Sequence, residues 1–229
     1  MDGFVRLLTE YDVLGAFWMT IKLTVASALG ALVIGTVVAV CRVPPVAVLR
    51  GFGTAYVTLI RNTPLTLIVF FCLFGVSNTL RVQLADPASP TSIADNTFRF
   101  GVIALAVYHA SFVAEALRSG INTVPQGQAE AARAIGLGFL PTLREVVLPQ
   151  AFRGAIAPLG NTLIALTKNT TVVATIGVAE LAYQMRNMIE FSPSLLYAIF
   201  VLIAVCFVVL TLPTGLLFTY LSRRLVVQR

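Results

Sequence analysis

Apolar residues fall into five long runs, at about Ala16 to Cys41, Thr54 to Val76, Phe98 to Leu117, Ala155 to Val178 and Leu195 to Tyr220. Each run reaches about 18 residues or more, enough to cross a hydrocarbon core roughly 30 Å thick as a helix. A helix also satisfies its own backbone hydrogen bonds in lipid. The pattern therefore predicts an all-α membrane protein, with residues 1–229 forming a single transmembrane domain of five spans. The polar interruptions are of different kinds. Residues 77–97, with Pro87, Pro90 and several Ser, Thr, Asp and Asn, predict an irregular loop. Pro44 and Pro45 break the chain after the first span, and Val46 to Tyr56 is expected to begin the next helix at the membrane interface. Residues 118–153 make a polar stretch of about 36 residues, far longer than a membrane hairpin needs, and loops of that length carry structure or function.

Composition agrees with the pattern, since 58% of residues are hydrophobic and 11% are charged. The first run is too long for a signal peptide, and its acidic flank (Asp2, Glu10, Asp12) is wrong for one, so it is expected to be a retained span. The net charge of +6 is read as a topology signal. Arg42 and Arg50 follow the first span, Arg118, Arg133, Arg144 and Arg153 lie in the long loop, and Arg223, Arg224 and Arg229 end the chain. The other side receives Arg6, Arg81, Arg99 and Arg186 beside Asp86 and Asp95. The positive-inside rule then puts the long loop and the C-terminus in the cytoplasm and the N-terminus outside. Nucleic-acid binding is not implied. Cys41, Cys72 and Cys206 lie in or beside apolar runs without paired spacing and are expected to be buried, inert thiols.

Inside the long loop, Pro125 suits a first helical turn and Gln126 to Ile135 is rich in helix formers. Gly136 can take the left-handed conformation that ends a helix, and a second short helix is expected from Pro141 to Val147, stopped by Pro149. Two short helices joined by a glycine turn would make a compact knob.

Enzymatic chemistry is argued against by exclusion. Neither Lys22 nor Lys168 follows a glycine-rich phosphate loop, so no ATPase of its own is expected. One histidine, His109, without a Cys/His cluster gives no zinc site, and no Gly-x-Ser-x-Gly elbow is present. Charges inside spans are costly and normally face protein or water. Thr54, Thr58 and Arg61 share one helical stripe, Asn161, Lys168 and Thr175 a second with Thr171 beside them, and Tyr108, Ser111 and Glu115 a third. One reading makes these faces converge on a pathway across the membrane. The other has Arg61 snorkel to the inner interface, Glu115 pair with a neighbouring arginine and the threonines bond to their own helices. His109 is expected to be packed or bonded to its helix.

The sequence Glu130-Ala131-Ala132, three residues, Gly136, nine residues, Val146, one residue, Leu148-Pro149 resembles the loop signature of ABC importer permeases, with Val146 where isoleucine is usual. Arg61-Asn62-Thr63-Pro64-Leu65, Glu115 to Ile121, and Lys168-Asn169-Thr170-Thr171 with Ile176-Gly177-Val178 are similar to segments of polar amino-acid uptake permeases. The likeness is greatest to actinobacterial glutamate-uptake permeases, although Asn62 stands where many relatives carry glycine. The resemblance implies the type I importer permease fold in a bacterial plasma membrane. It implies that Glu130, Ala131, Ala132 and Gly136 belong to a coupling helix that docks on a separate ABC ATPase, which binds ATP and magnesium. It also implies a second, identical or homologous permease and an external substrate-binding protein. Arg61, Asn62, Thr63, Glu115, Lys168, Asn169, Thr170 and Thr171 are then candidates to line the pathway, and their charge suits glutamate or a related polar amino acid such as glutamine or aspartate. The alternative is a carrier or channel subunit that stands alone and runs on an ion gradient. Many such carriers have discontinuous spans in matching halves, which are not visible in the sequence.

Overall fold

The computed structural model describes residues 7, 9–43 and 46–225. Asp2, Arg6, Pro44, Pro45 and Arg229, on which expectations above rest, lie outside the described residues. Among those described there is no strand. The elements are α1 (Val13–Cys41), α2 (Ala47–Asn62), α3 (Leu65–Thr79), α4 (Ser92–Asn122), α5 (Gln126–Ala134), α6 (Phe139–Ile176), α7 (Leu181–Phe191) and α8 (Pro193–Leu225). α1, α4 and α8 are each long and apolar enough to cross a bilayer, and α2 with α3, and α6 with α7, are bent pairs that each pass the same test together.

Helix directions show how often the chain crosses. Gly30 of α1 lies against Ala106 of α4, Gly35 against Ala110 and Val113, and Arg42 reaches Glu115, so α1 and α4 run parallel. The chain between them must therefore return across the layer, which makes α2 and α3 together one crossing. α6 runs antiparallel to α4, with Gly120 against Ala151 and Gly101 against Val173, and α8 runs antiparallel to α6, with Gly160 under Phe218. The result is the expected five crossings, with α4 at the centre, packed on α1, α2, α3 and α6. Arg42, Arg50, the four arginines of the long loop, Arg223 and Arg224 lie towards one end, and Arg81, Arg99 and Arg186 towards the other.

Close packing is made possible by small residues. A Cβ on Gly35 would stand 2.7 Å from the Ala110 carbonyl oxygen, so only glycine lets α1 approach the α4 backbone this closely. The buried core follows as three layers along the bundle. Leu23, Leu65, Phe100, Leu105 and Val173 form one, and Val38, Val57, Val113, Ala155 and Leu166 lie nearer the cation-rich end. Val13, Leu181, Met188, Ile199 and Ile203 close the opposite end.

Three expectations are corrected. The second span is not one straight helix over 54–76, because α2 and α3 meet at a 103° bend around Thr63 and Pro64. Pro64 cannot donate to the ladder and disfavours helical geometry in the residue before it. Thr63 is accordingly extended, with φ −88° and ψ 132°. With a second bend of 55° between α6 and α7, the chain contains the discontinuous spans that its sequence did not reveal. The helix expected over Pro141 to Val147 is not separate and Pro149 does not stop it. Thr142–Val147 winds as a π-helix and runs directly into Leu148–Asn169. A π register shifts the hydrogen bonds to i−5, so the proline falls beside a bulge instead of inside a regular α ladder. α6 thus starts at Phe139, well before the Ala155 expected for its span.

Candidate functional site

The long loop folds as a knob at the cation-rich end. α5 packs against the π-helical stretch of α6 through Ala132, which is buried, while Glu130, Ala131 and Gly136 are exposed. Its end is defined by two backbone bonds, Gly136 N–H to Arg133 O at 3.0 Å and Leu137 N–H to Ala132 O at 3.1 Å. This is a Schellman motif, and it requires a left-handed residue at Gly136, whose φ is +90°. The chain then re-enters helix with the Thr142 N–H donating to Gly138 O at 3.0 Å. The knob presents apolar side chains to solvent, with Ile135 80% and Leu140 69% exposed, and Glu130 is exposed as well. Exposed apolar surface on an otherwise polar loop marks an interaction site.

The second region lies at mid-depth. Tyr56 Oη donates to the Val107 carbonyl at 2.7 Å, and the His109 ring meets Asn169 at 3.1 Å, so α2 and α6 reach the same level on either side of α4. Arg61 is about one and a half turns past Tyr56, and Lys168 adjoins Asn169. Both cations are therefore held near the middle of the layer, and both are exposed on this subunit. Neither has an ion-pair partner among the described residues. Around Arg61 the broken end of α2 is closed by its own side chains, with Asn62 Nδ2 donating to Thr58 O and Thr63 Oγ1 to Leu59 O, each at 2.8 Å. The stripe Thr54, Thr58 and Arg61 is exposed, as are Asn161, Lys168 and Thr175. Asn161 opens on a groove of about 530 Å³ between α6 and α8, floored by Gly160 and Gly215. A charge against lipid costs several kcal/mol, so charged faces of this kind normally meet protein or water.

The remaining candidates divide. Thr170 is buried and donates to Thr167 O at 2.8 Å, and Thr171 donates to Lys168 O at 2.9 Å, so both hydroxyls serve their own helix. Ser111 is buried and bonds to Tyr108 O, which removes the third stripe from the exposed faces. Glu115 pairs with an arginine, as the second reading of that carboxylate had it, and the partner is Arg42, the C-cap of α1. Asn169 is half-buried and held by His109.

Residues 31–227 match the family described as the inner membrane component of binding-protein-dependent transport systems. The chain belongs to this family. It is a permease subunit of an ABC importer, all-α and multi-pass, and the stand-alone carrier is set aside. The permease is 53% identical over 218 residues to the glutamate transport system permease protein GluC of Corynebacterium glutamicum, covering 95% of this chain and 96% of that one. It is 35% identical to the probable glutamine ABC transporter permease protein GlnM of Bacillus subtilis, over 91% of each chain. Among solved structures it superposes on a chain from an amino acid ABC transporter crystallised with histidines, with a TM-score of 0.81 and 27% identity over 98% of this permease and 96% of that chain.

Sequence reasoning missed two groups in this permease. His109 is packed and bonded to Leu105 of its own helix as expected, but its contact with Asn169, and Arg42 as the particular partner of Glu115, were missed because these contacts cross between helices, although a basic residue closing one span and an acidic one in another was the available signal. Glu180 was missed because it sits in the break between α6 and α7. Gly177, with φ +87°, ends α6 by the same Schellman pattern as Gly136. Glu180 then caps α7, its Oε1 accepting from the Tyr183 N–H at 2.9 Å, while Leu181 N–H donates to Thr20 Oγ1 of α1 at 3.3 Å. The carboxyl is fully buried, and its Oε2 has no hydrogen-bond partner among the described residues.

Proposed function

We propose that this permease passes glutamate, or the related glutamine or aspartate, across the plasma membrane in an importer driven by separate ATPases. The observation that carries the substrate class is the pair of exposed, unpaired cations at mid-depth, Arg61 and Lys168, in a chain 53% identical to a glutamate permease. Two cations suit the carboxylates of an acidic amino acid, while Glu115, the acid within α4, is occupied by Arg42. A homologous or identical permease covers the exposed polar faces of α2 and α6, so that the pathway runs between two subunits.

The chain itself hydrolyses nothing. ATP and magnesium are bound by the two ATPases, and the knob at Glu130, Ala131, Ala132 and Gly136 is what they hold. Ile135 and Leu140 supply the apolar contact and Glu130 a charge for a basic partner group. Closure of the ATPases draws the two knobs together. Because the π-helical stretch of α6 packs on α5 and continues into the membrane without a break, that movement passes to α6 as a rigid body. An external binding protein delivers substrate to the opposite end. The arginine asymmetry puts the knob and C-terminus in the cytoplasm and the N-terminus outside.

The test is reconstitution of the permease with its ATPase, companion permease and binding protein in proteoliposomes. ATP-dependent uptake of radiolabelled L-glutamate, competed by glutamine or aspartate and reduced about ten-fold or more in Lys168→Leu at equal complex yield, is the expected result. Wild-type uptake in that variant would remove Lys168 from the pathway, and uptake without ATP would remove the coupling.

A further inference from the structure

The one histidine of the chain is buried between α4 and α6, where the proposed pathway makes no direct use of it. Its Nδ1 lies 2.9 Å from the Leu105 carbonyl oxygen and its Nε2 lies 3.1 Å from Asn169 Nδ2. A carbonyl only accepts, so Nδ1 carries the proton. In a neutral imidazole Nε2 is then an acceptor, and Asn169 must turn its NH₂ towards it. Tyr108, edge-on at 5.1 Å between ring centres, and Phe112 at 6.0 Å enclose the ring. The orientation of the Asn169 amide is therefore fixed from behind. Its NH₂ end is spent on His109, and its Oδ1, on the side away from the imidazole, takes no hydrogen bond from a described residue.

We infer that His109 is a positioning residue that sets the polarity of Asn169, so that its carbonyl oxygen offers an acceptor for the ammonium group of an amino acid in transit. The neighbouring side chain is Lys168, a donor for carboxylates, so consecutive residues present the complement of a zwitterion. Without the imidazole acceptor, the Asn169 amide is free to turn and offer its NH₂, a donor that repels an ammonium group. Thr167 and Thr170 do not substitute, because both are buried. The inference rests on Lys168 and Asn169 lining the pathway, and two separate measurements distinguish failure of that reading from failure of this one.

The first measurement needs no substrate. With a single histidine, ¹⁵N-histidine labelling of the full chain in lipid nanodiscs gives one imidazole pair in the NMR spectrum. Protonated Nδ1 and bare Nε2 are expected, with the Nε2 resonance shifted in Asn169→Leu and unmoved in Lys168→Leu. A protonated Nε2, or no shift in Asn169→Leu, overturns the role of His109 whatever the pathway. The second is ATP-driven uptake of L-glutamate by the reconstituted complex, compared at equal complex yield. His109→Leu is expected to lower the rate about ten-fold, the effect of losing about one well-placed hydrogen bond to a charged group. His109→Gln, whose oxygen can accept from Asn169, should stay within about three-fold of wild type. Adding Asn169→Asp to His109→Leu should restore uptake, because a carboxylate presents an acceptor whichever way it turns. Equal rates in the Leu and Gln variants, or no recovery in the double variant, overturn the proposal. Undiminished uptake in both Lys168→Leu and Asn169→Leu overturns the pathway reading beneath it.

Discussion

Arg42, at the end of α1, is ion-paired with Glu115 of α4 across 73 residues of sequence. The two partners are unequally buried, with the Arg42 side chain 7% exposed and that of Glu115 35% exposed. The stem of Arg42 also lies over Gly53, where a Cβ would stand 2.7 Å from its Cγ, so one side chain joins α1, α2 and α4 just before the chain enters the knob. Removing the carboxylate strands a buried cation, whereas removing the guanidinium leaves a carboxylate that water partly reaches. Glu115→Gln should therefore cost more stability than Arg42→Gln, by about 1–2 kcal/mol after allowance for solvent screening. Thermal unfolding of the two variants in detergent reads the order, and a reversed order would show that the arginine is held by packing and not by the pair.

This contact also marks where the sequence stops being legible. The five crossings could be read because a bilayer demands a minimum apolar length, and the turn at Gly136 because a Schellman motif is local. Neither Arg42 with Glu115 nor His109 with Asn169 is local, since each depends on which helix faces come together. The bend at Thr63 and Pro64 was visible as a proline, but continuous hydropathy across it hid a change of direction. Pro149 misled in the opposite sense, because its effect on the helix is absorbed by a π register that no residue type announces. Of the candidate pathway residues, Arg61 and Lys168 stand exposed at mid-depth, while Thr170 and Thr171 spend their hydroxyls on their own helix.

The crossing of α4 and α6 depends on Gly120. A Cβ there would stand 2.2 Å from the Ala151 carbonyl oxygen and 2.9 Å from the Ala155 Cβ. Backbone cannot yield as a flexible side chain can, so Gly120→Ala must push α6 away, at a cost of about 1–3 kcal/mol or more. Gly127, in the first turn of α5, has open space around it, and Gly127→Ala should be neutral or stabilising by up to about 1 kcal/mol. Melting temperatures of the pair test the argument, which fails if Gly120→Ala melts like the wild type.

Gly136 presents the complementary case, because nothing lies within 4 Å of a Cβ built on it. Any effect of substitution must then come from its φ of +90°. Alanine should cost about 1–2 kcal/mol of local stability, and asparagine less, because it enters the left-handed region more readily. Co-purification of the ATPase should decline in the order Gly136, Gly136→Asn, Gly136→Ala. An alanine variant that retains the ATPase as well as wild type would mean that the knob is not docked in this conformation.

The break between α6 and α7 is held to α1 by a hydroxyl. Thr20 Oγ1 receives the Leu181 N–H at 3.3 Å and itself donates to Ala16 O at 3.0 Å. Thr20→Val keeps the shape and withdraws the acceptor, so the first turn of α7 is left with a buried N–H that has lost its partner. It should destabilise the junction by about 1 kcal/mol or more, while Thr20→Ser, which keeps the hydroxyl, should cost less. Thermal unfolding of the two variants in detergent reads the order. Equal losses in the two would trace the effect to packing around the side chain, and not to the hydrogen bond.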